Sequence, residues 1–338
     1  MTNDEIKVAV IGVGYVGKEH ARIYHAMEGV RLVGVCDIDQ KRAREVAASL
    51  STKGFADHKE LLDKVDAASI ATPTQTHFQI ASDFLKAGIP VLVEKPMTSN
   101  LEEADRLAAL AGQKGVALQV GFVERFSPVI EAAKKLNINP KFIEAHRLSP
   151  FRFRSADIGV VLDLMIHDID IVLHLAASEI KKLDACGVAV IGDKEDIANA
   201  RITFASGCVA NLTASRVATR ALRRMRIFSP DSYISLDFGQ KSGYLYKKSD
   251  KLTTWRDLKL TGDVSTIADL KGFSFGDLLD IHEIPMPDFE PLQKELEAFI
   301  HSVRTHAPPV VSLQEGRRAI ATATQILEAI KEHSWEGE

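Results

Sequence analysis

A lysine that closes an apolar strand and a histidine set among acids at helical spacing are the residues of this chain best suited to moving protons. Val91-Leu92-Val93-Glu94-Lys95-Pro96 sets Lys95 just past a buried strand. An ammonium there would orient a hydroxyl and favour its deprotonation, because a nearby positive charge stabilises the developing alkoxide. In Asp163-Leu164-Met165-Ile166-His167-Asp168-Ile169-Asp170, Asp163 and His167 stand four apart and Asp170 three further on, so a helix projects all three from one face. Imidazole, with an ordinary pKa of about 6.5, accepts and returns a proton near neutral pH, and a carboxylate one turn away fixes its tautomer. Taken alone, Lys95 also fits a solvated or salt-bridged residue, and the helix also fits an acidic first turn with a capped or core histidine. His174 is the remaining metal-ligand candidate on that face, and since a further ligand is lacking no metal is expected.

Near the N-terminus, an apolar stretch from Ile6 to Ile11 leads into glycines at 12, 14 and 17, a helical stretch, and a second strand ending in Asp37, which stands 20 positions after Gly17. Strand, Gly-x-Gly-x-x-Gly, helix and a distant acid together form a dinucleotide-binding fingerprint, far more specific than the glycines alone. Gly12 serves the tight turn, Gly14 lets backbone approach a pyrophosphate, and Gly17 lets helix and strand pack closely, with Tyr15 and Val16 completing the loop. Asp37 is placed to accept from the adenosine ribose hydroxyls and to repel a 2′-phosphate, so NAD is the expected cofactor.

These groups need a frame that brings them together. Strand and helix patterns alternate through the first third: Arg31 to Cys36, Lys41 to Leu50, Ala67 to Ala71, His77 to Ala87, Val91 to Glu94, Leu101 to Lys114 and Ala117 to Phe122. Alternation of this kind predicts a parallel sheet covered by helices, with ligands beyond the carboxyl ends of the strands. The Gly12 turn, Asp37, Ala71-Thr72-Pro73-Thr74 with His77, and Glu94-Lys95-Pro96 then surround one crevice. After Ser127-Pro128 the rhythm changes to a helix (Val129 to Leu136), a strand (Phe142 to Leu148), a loop holding Arg152 and Arg154, and a helix from about Val161 to Ala177. Five strand patterns follow without helices between them, from Leu183 to Phe238. Such a run predicts an α+β domain with a mostly antiparallel open sheet. Leu252 to Pro291 reads as irregular, loop with short strands, and helices near Leu292 to Thr305 and Leu313 to Glu332 follow. The expected fold is α/β: a Rossmann dinucleotide-binding domain over residues 1–123 and a substrate-binding and oligomerisation domain over residues 124–338.

Composition narrows the class. With 46% hydrophobic and 26% charged residues and a net charge of −4, the 338-residue chain has the balance of an ordinary soluble enzyme, and nucleic acid is not an expected partner. Arg220, Arg223, Arg224 and Arg226 read as a solvated basic edge. No basic segment leads into an apolar signal region, and no apolar run approaches the ~18 residues of a membrane span, so a cytoplasmic protein is expected. Cys36, Cys186 and Cys208 lack metal-ligand spacing and read as buried, reduced thiols.

Taken together, Gly12, Gly14 and Gly17, Ala71-Thr72-Pro73-Thr74 with His77, Glu94-Lys95-Pro96, Gly121-Phe122 with Arg125-Phe126 and Pro128, Asp163 with His167, and Glu295 to Ile300 resemble the glucose-fructose oxidoreductase, inositol dehydrogenase and MocA family over essentially the whole chain. The resemblance implies hydride transfer between a nicotinamide and a sugar-like carbinol carbon, with Lys95 and His167 as the polar catalytic pair and Asp163 as their helper. The chain departs from the family's usual pattern at Val123-Glu124 and Gly159-Val160. Glu144 to Phe151, Asp163 to Ile171, Ala198 to Arg201 and Asn211 to Arg216 resemble, more narrowly, the branch that oxidises C3 of UDP-N-acetylglucosamine in making a diamino sugar of lipid A. Arg125, Arg147, Arg152, Arg154 and Arg216 are the expected substrate contacts, since forked guanidinium donors suit a sugar diphosphate. The alternatives are a dehydrogenase or reductase of a free cyclitol or monosaccharide, and a dinucleotide-sensing regulator without chemistry. Lys95, Asp163 and His167 together argue against the regulator. A homo-oligomer, dimer or tetramer, is expected from the bare face of an open sheet.

Overall fold

The computed structural model describes residues 5–136, 138–151, 158–249 and 279–333. Contacts divide the chain into two compact units, Met1–Phe126 with Phe289–Gln325, and Ser127–Asp288 with Ile326–Glu338. The sequence suggests one crossing after Val123, but the late helix Pro291–Thr305 returns to the first unit.

In the first unit, strands β1 (Ile6–Ile11), β2 (Val30–Cys36), β3 (Lys53–Phe55), β4 (Ala67–Ile70), β5 (Val91–Glu94) and β6 (Leu118–Gly121) form a parallel sheet in the order β3-β2-β1-β4-β5-β6. Every residue of β4 and β6 is buried, as are the last four of β1 and the first three of β5. Strands buried on both faces read as continuous apolar runs, which is why IKVAVI and VLVE were legible. Helices α1 (Tyr15–Ala26), α2 (Gln40–Ser49), α3 (Thr74–Lys86) and α4 (Leu101–Lys114) make the crossovers. Local chemistry sets their ends: the Asp39 side chain caps α2, Asn100 caps α4, and Gly115 ends α4 in the left-handed region at φ 63°. Helix α1 buries Ala21, Ile23 and Tyr24 against β1 and β2, and the same core takes Leu296, Phe299 and Ile300 from the late helix.

The second unit opens with α5 (Pro128–Lys134), capped by Ser127, and builds a mixed, mostly antiparallel sheet. Its strands are β7 (Phe142–Leu148), β8 (Ile180–Val188), β9 (Ile197–Phe204), β10 (Val209–Ser215), β11 (Leu222–Phe228), β12 (Ser232–Asp237), β13 (Ser242–Lys248) and β14 (Leu279–Glu283). The order is β14-β13-β12-β11-β7-β10-β9-β8, with β7 and β10 the parallel pair. Burial alternates along β7, β9 and β10, so Ile143, Ala145, Ala198, Ala200, Ile202, Ala210 and Leu212 share the buried face. Helix α6 (Ile166–Ala176) packs on that face against β7 and β10. The late helices are α7 (Pro291–Thr305) and α8 (Leu313–Glu332).

The three thiols are free, as expected, but Cys186 is only partly buried. Among the described residues, no helix is long and apolar enough to cross a membrane.

Candidate active site

The glycine turn between β1 and α1 is shaped by contacts that leave no room for side chains at two of its three glycines. Gly12 has φ +84°, and a Cβ there would lie 2.7 Å from the Ala71 carbonyl oxygen. A Cβ on Gly17 would lie 1.8 Å from the Gly12 carbonyl oxygen, far inside van der Waals contact, so the helix lies directly on the turn. Gly14 differs: a Cβ there would meet nothing within 4 Å. Helix α1 starts without a side-chain cap and without an acid in its first turn. Open space over Gly14 at the N-terminus of α1 fits a dinucleotide pyrophosphate, which is anionic and needs backbone donors. Around it, Tyr15 is exposed and Val16 half-buried.

Asp37 lies just past β2 and is 6% exposed. Its Oδ2 accepts from the Val13 amide and its Oδ1 from the Asp39 amide, each at 2.9 Å, so one carboxylate ties the glycine turn to the end of β2. Arg42 approaches the same Oδ2 at 3.4 Å.

Two further loops at this end of the sheet are joined by a buried histidine. The ring of His77 places Nδ1 3.0 Å from the Pro96 carbonyl oxygen and Nε2 2.8 Å from that of Thr72. Burial lowers the His77 pKa from its ordinary value, against the opposite pull of those carbonyls. Thr72 and Thr74 are half-buried, Pro73 is exposed, and Ala71 donates its amide to the Ile11 carbonyl at 2.8 Å. His77 thus acts as a brace between the Thr72 and Pro96 loops. Lys95 is half-buried at the end of β5, and its amide donates to Glu94 Oε2 at 3.3 Å.

In the second unit, Val161–Met165 forms a π-helical turn that runs into α6. Turns of this kind close i to i+5 and occur disproportionately at functional sites. Asp163 and His167 are half-buried there, whereas Asp168 and Asp170 are buried. The sequence predicts one straight helical face for Asp163, His167 and Asp170. The π turn shifts the register between Asp163 and His167, and Asp170, on the same regular helix as His167, goes into the interior at 2% exposure.

Of the five arginines expected to meet substrate, Arg125, Arg147 and Arg216 are held by carboxylates inside their own units. Arg147 donates through Nε and Nη2 to the two oxygens of Asp168, each at 2.9 Å, a bidentate pair buried at both ends. That pair anchors α6 one residue past His167. Arg216 donates from Nε to Asp196 at 2.5 Å and from Nη1 to the Ile158 carbonyl at 2.6 Å. Arg125 donates to Glu315 at 2.6 Å and is 3% exposed. Arg152 and Arg154 lie outside the described residues. The basic edge is partly paired, Arg224 with Asp237 and Arg226 with Glu144.

Asp196, which the sequence did not single out, is fully buried and also accepts from the amides of Val190, Ile191 and Gly192. Burial alone would raise its pKa, but the Ile191 amide, Arg216 and the other amides outweigh it and hold the group at about 2. Since the folded pKa lies below the ordinary 3.8, this contribution to stability is complete above about pH 4 and is lost as pH falls through about 2. Asp196→Asn is expected to cost about 3–5 kcal/mol at neutral pH, because it leaves the buried Arg216 charge without its carboxylate. The gap from wild type should narrow below about pH 4, as measured by urea unfolding across a pH series. A gap independent of pH would show that the carboxylate charge is not what stabilises this corner.

Comparison with known proteins identifies the family. The model of an oxidoreductase family with an NAD-binding Rossmann fold matches residues 6–122, and the GFO/IDH/MocA C-terminal domain model matches residues 140–233. The chain is 38% identical over 327 residues to a UDP-N-acetylglucosamine 3-dehydrogenase of Acidithiobacillus ferrooxidans, covering 96% of this chain and 97% of that one. A solved structure of the Acidithiobacillus enzyme superposes with a TM-score of 0.87 at 37% identity, over 97% of this chain and 98% of that one. A myo-inositol 2-dehydrogenase of Thermotoga maritima is 26% identical over 334 residues, 93% of each chain. Matched in both of its sheets and aligned with a relative over nearly its full length, the chain belongs to the GFO/IDH/MocA family of dinucleotide-dependent dehydrogenases.

Proposed function

We propose that this enzyme oxidises the C3 hydroxyl of UDP-N-acetylglucosamine with NAD. The observation that carries the substrate is the 38% identity to a UDP-N-acetylglucosamine 3-dehydrogenase across 96% of this chain, against 26% for the inositol dehydrogenase of Thermotoga maritima. The choice of NAD rests on Asp37, whose carboxylate would repel a 2′-phosphate. Gly12, Gly14, Gly17, Asp37, the Ala71 to Thr74 loop and the Glu94-Lys95 turn would hold the dinucleotide, whose nicotinamide supplies the hydride acceptor when bound. Lys95 orients the substrate hydroxyl and stabilises its developing negative charge, His167 takes the proton, and Asp163 fixes the imidazole. With Arg125, Arg147 and Arg216 engaged by internal carboxylates, Arg152 and Arg154 are the proposed donors to the diphosphate.

A single assay panel tests substrate and cofactor together. UDP-N-acetylglucosamine should reduce NAD when a ketone trap or coupled aminotransferase removes product, whereas free N-acetylglucosamine and myo-inositol should turn over poorly. Remote binding energy from the uridine diphosphate holds the reacting carbon in place, so removing it lowers kcat as well as affinity. NAD should outperform NADP by at least about tenfold, equivalent to about 1.4 kcal/mol. Better turnover of inositol or a free sugar rejects the nucleotide-sugar assignment, and equal use of NADP rejects the role given to Asp37.

Self-association is proposed through the open face of the second unit's sheet. Phe142, Phe228, Tyr233 and Tyr246 form a ladder there with ring centroids 5.8, 4.7 and 4.7 Å apart, and Tyr244 beside it is 41% exposed. Light scattering should give an oligomer, and charge substitutions at Tyr233 and Tyr246 should shift it toward monomer. A monomeric wild-type enzyme would exclude this role.

A further inference from the structure

Within the first unit, three ionisable side chains from distant parts of the sequence meet away from water. His20 on α1 and Glu295 on α7 are fully buried, and Glu94 at the end of β5 is 15% exposed. His20 Nε2 lies 3.2 Å from Glu94 Oε1, and the ligand-capable atoms of the three residues all fall within 4.8 Å of one another. The surroundings are built to admit this cluster. A Cβ on Gly121 would lie 2.9 Å from Glu94 Oε1, so glycine there leaves the carboxylate its space. Gln119 donates from Nε2 to the Glu295 carbonyl at 3.1 Å, holding α7 against β6. Tyr24, also buried, is tied to Ser69 at 2.8 Å, and its phenol pKa is raised mainly by burial and further by the Glu295 charge.

We propose that His20 and Glu295 are positioning residues that act through Glu94 on Lys95. Two carboxylates and an imidazole held this close and largely out of water are stabilised by sharing protons and charge, so each helps to fix the others in place. Glu94 is the member that passes this on: one of its oxygens faces His20, and the other accepts from the amide of Lys95 itself. The cluster therefore sets the direction in which the Lys95 side chain leaves the strand. This inference rests on the catalytic role proposed for Lys95. Two carboxylates and one imidazole also have the chemistry of a cation site, but a closed structural site for zinc takes four protein ligands, and one oxygen of Glu94 already serves Lys95.

The test uses the full-length enzyme. Glu295→Gln should lower kcat by about tenfold while KM for both substrates changes less than about twofold, since misplacing a catalytic group mainly affects the chemical step. His20→Asn should do the same and serves if Glu295→Gln does not fold, and Glu295→Asp should recover part of the loss. The double variant Lys95→Ala with Glu295→Gln should be no slower than Lys95→Ala alone, because both changes remove one function. Multiplying losses in the double variant overturn the inference. So does a Glu295→Gln variant that loses melting temperature with kcat intact, or stoichiometric zinc or manganese in elemental analysis of the wild type that is lost on Glu295→Gln. A Lys95→Ala variant with normal turnover refutes the Lys95 reading itself, an outcome distinguishable because it appears in that single variant.

Discussion

Alanine in place of His167 is expected to lower turnover by about 10²- to 10⁴-fold, the scale of a lost acid-base group. NADH affinity by fluorescence titration and the melting temperature should both stay near wild type. His167 is half-buried, so its removal takes little packing from the core. The anchoring of α6 falls to Asp168, which Arg147 grips at both oxygens, and that pair survives the substitution. Lys95→Ala should show a loss of the same order for a different reason, removal of the positive charge that stabilises the alkoxide. Asp163→Asn should cost less, because it alters the imidazole's orientation and basicity without deleting it. A His167→Ala enzyme with near-normal turnover across pH would show that the π turn and its histidine are structural.

What the sequence made legible was the part that burial or local geometry dictates. Strands β1 and β5 sit inside a two-sided core, so their apolar runs survive any ambiguity of register. Strand β13 escaped, and β14 was legible only as an unplaced short strand, because they lie at the outer end of the sheet, where residues of SGYLYKK and LDIHE are mostly half-buried or exposed. Their place is held by backbone ladders, from Tyr244 opposite Glu283 to Lys248 opposite Leu279, and ladders leave no hydrophobic period to read.

The site divides along the same line. Gly12, Gly14, Gly17 and Asp37 belong to one local supersecondary unit whose spacing is fixed by its geometry. The partners of the buried arginines are chosen by tertiary structure, 20 or 21 residues away for Arg216 and Arg147 and 190 away for Arg125. One signal was present for Arg147: it shares the period of Ile143 and Ala145 and so points to the buried face of β7, where an arginine requires an internal carboxylate. His20 and Glu295 stand 275 positions apart, and only packing of α7 on α1 brings them together.

The glycine turn should show its design through two substitutions that fail differently. Gly17→Ala forces a methyl into a position 1.8 Å from the Gly12 carbonyl oxygen, and backbone on both sides cannot swing away as a flexible side chain would. Helix α1 has to shift, with an overpacking cost of about 1–3 kcal/mol or more. Because the same shift moves the N–H groups offered to the pyrophosphate, NADH affinity should fall by about 10²-fold, equivalent to about 2.7 kcal/mol. Gly14→Ala presents the opposite case. Its new methyl meets nothing within 4 Å, so the melting temperature should hold, and removing a glycine from the unfolded chain adds a small gain. The methyl nevertheless occupies the space assigned to the phosphates, so NADH affinity should still drop. Thermal melts of both variants with and without NADH separate the two effects. If Gly14→Ala bound NADH as wild type does, the phosphates would not lie over this turn, and the cradle would be no more than a strand-to-helix corner.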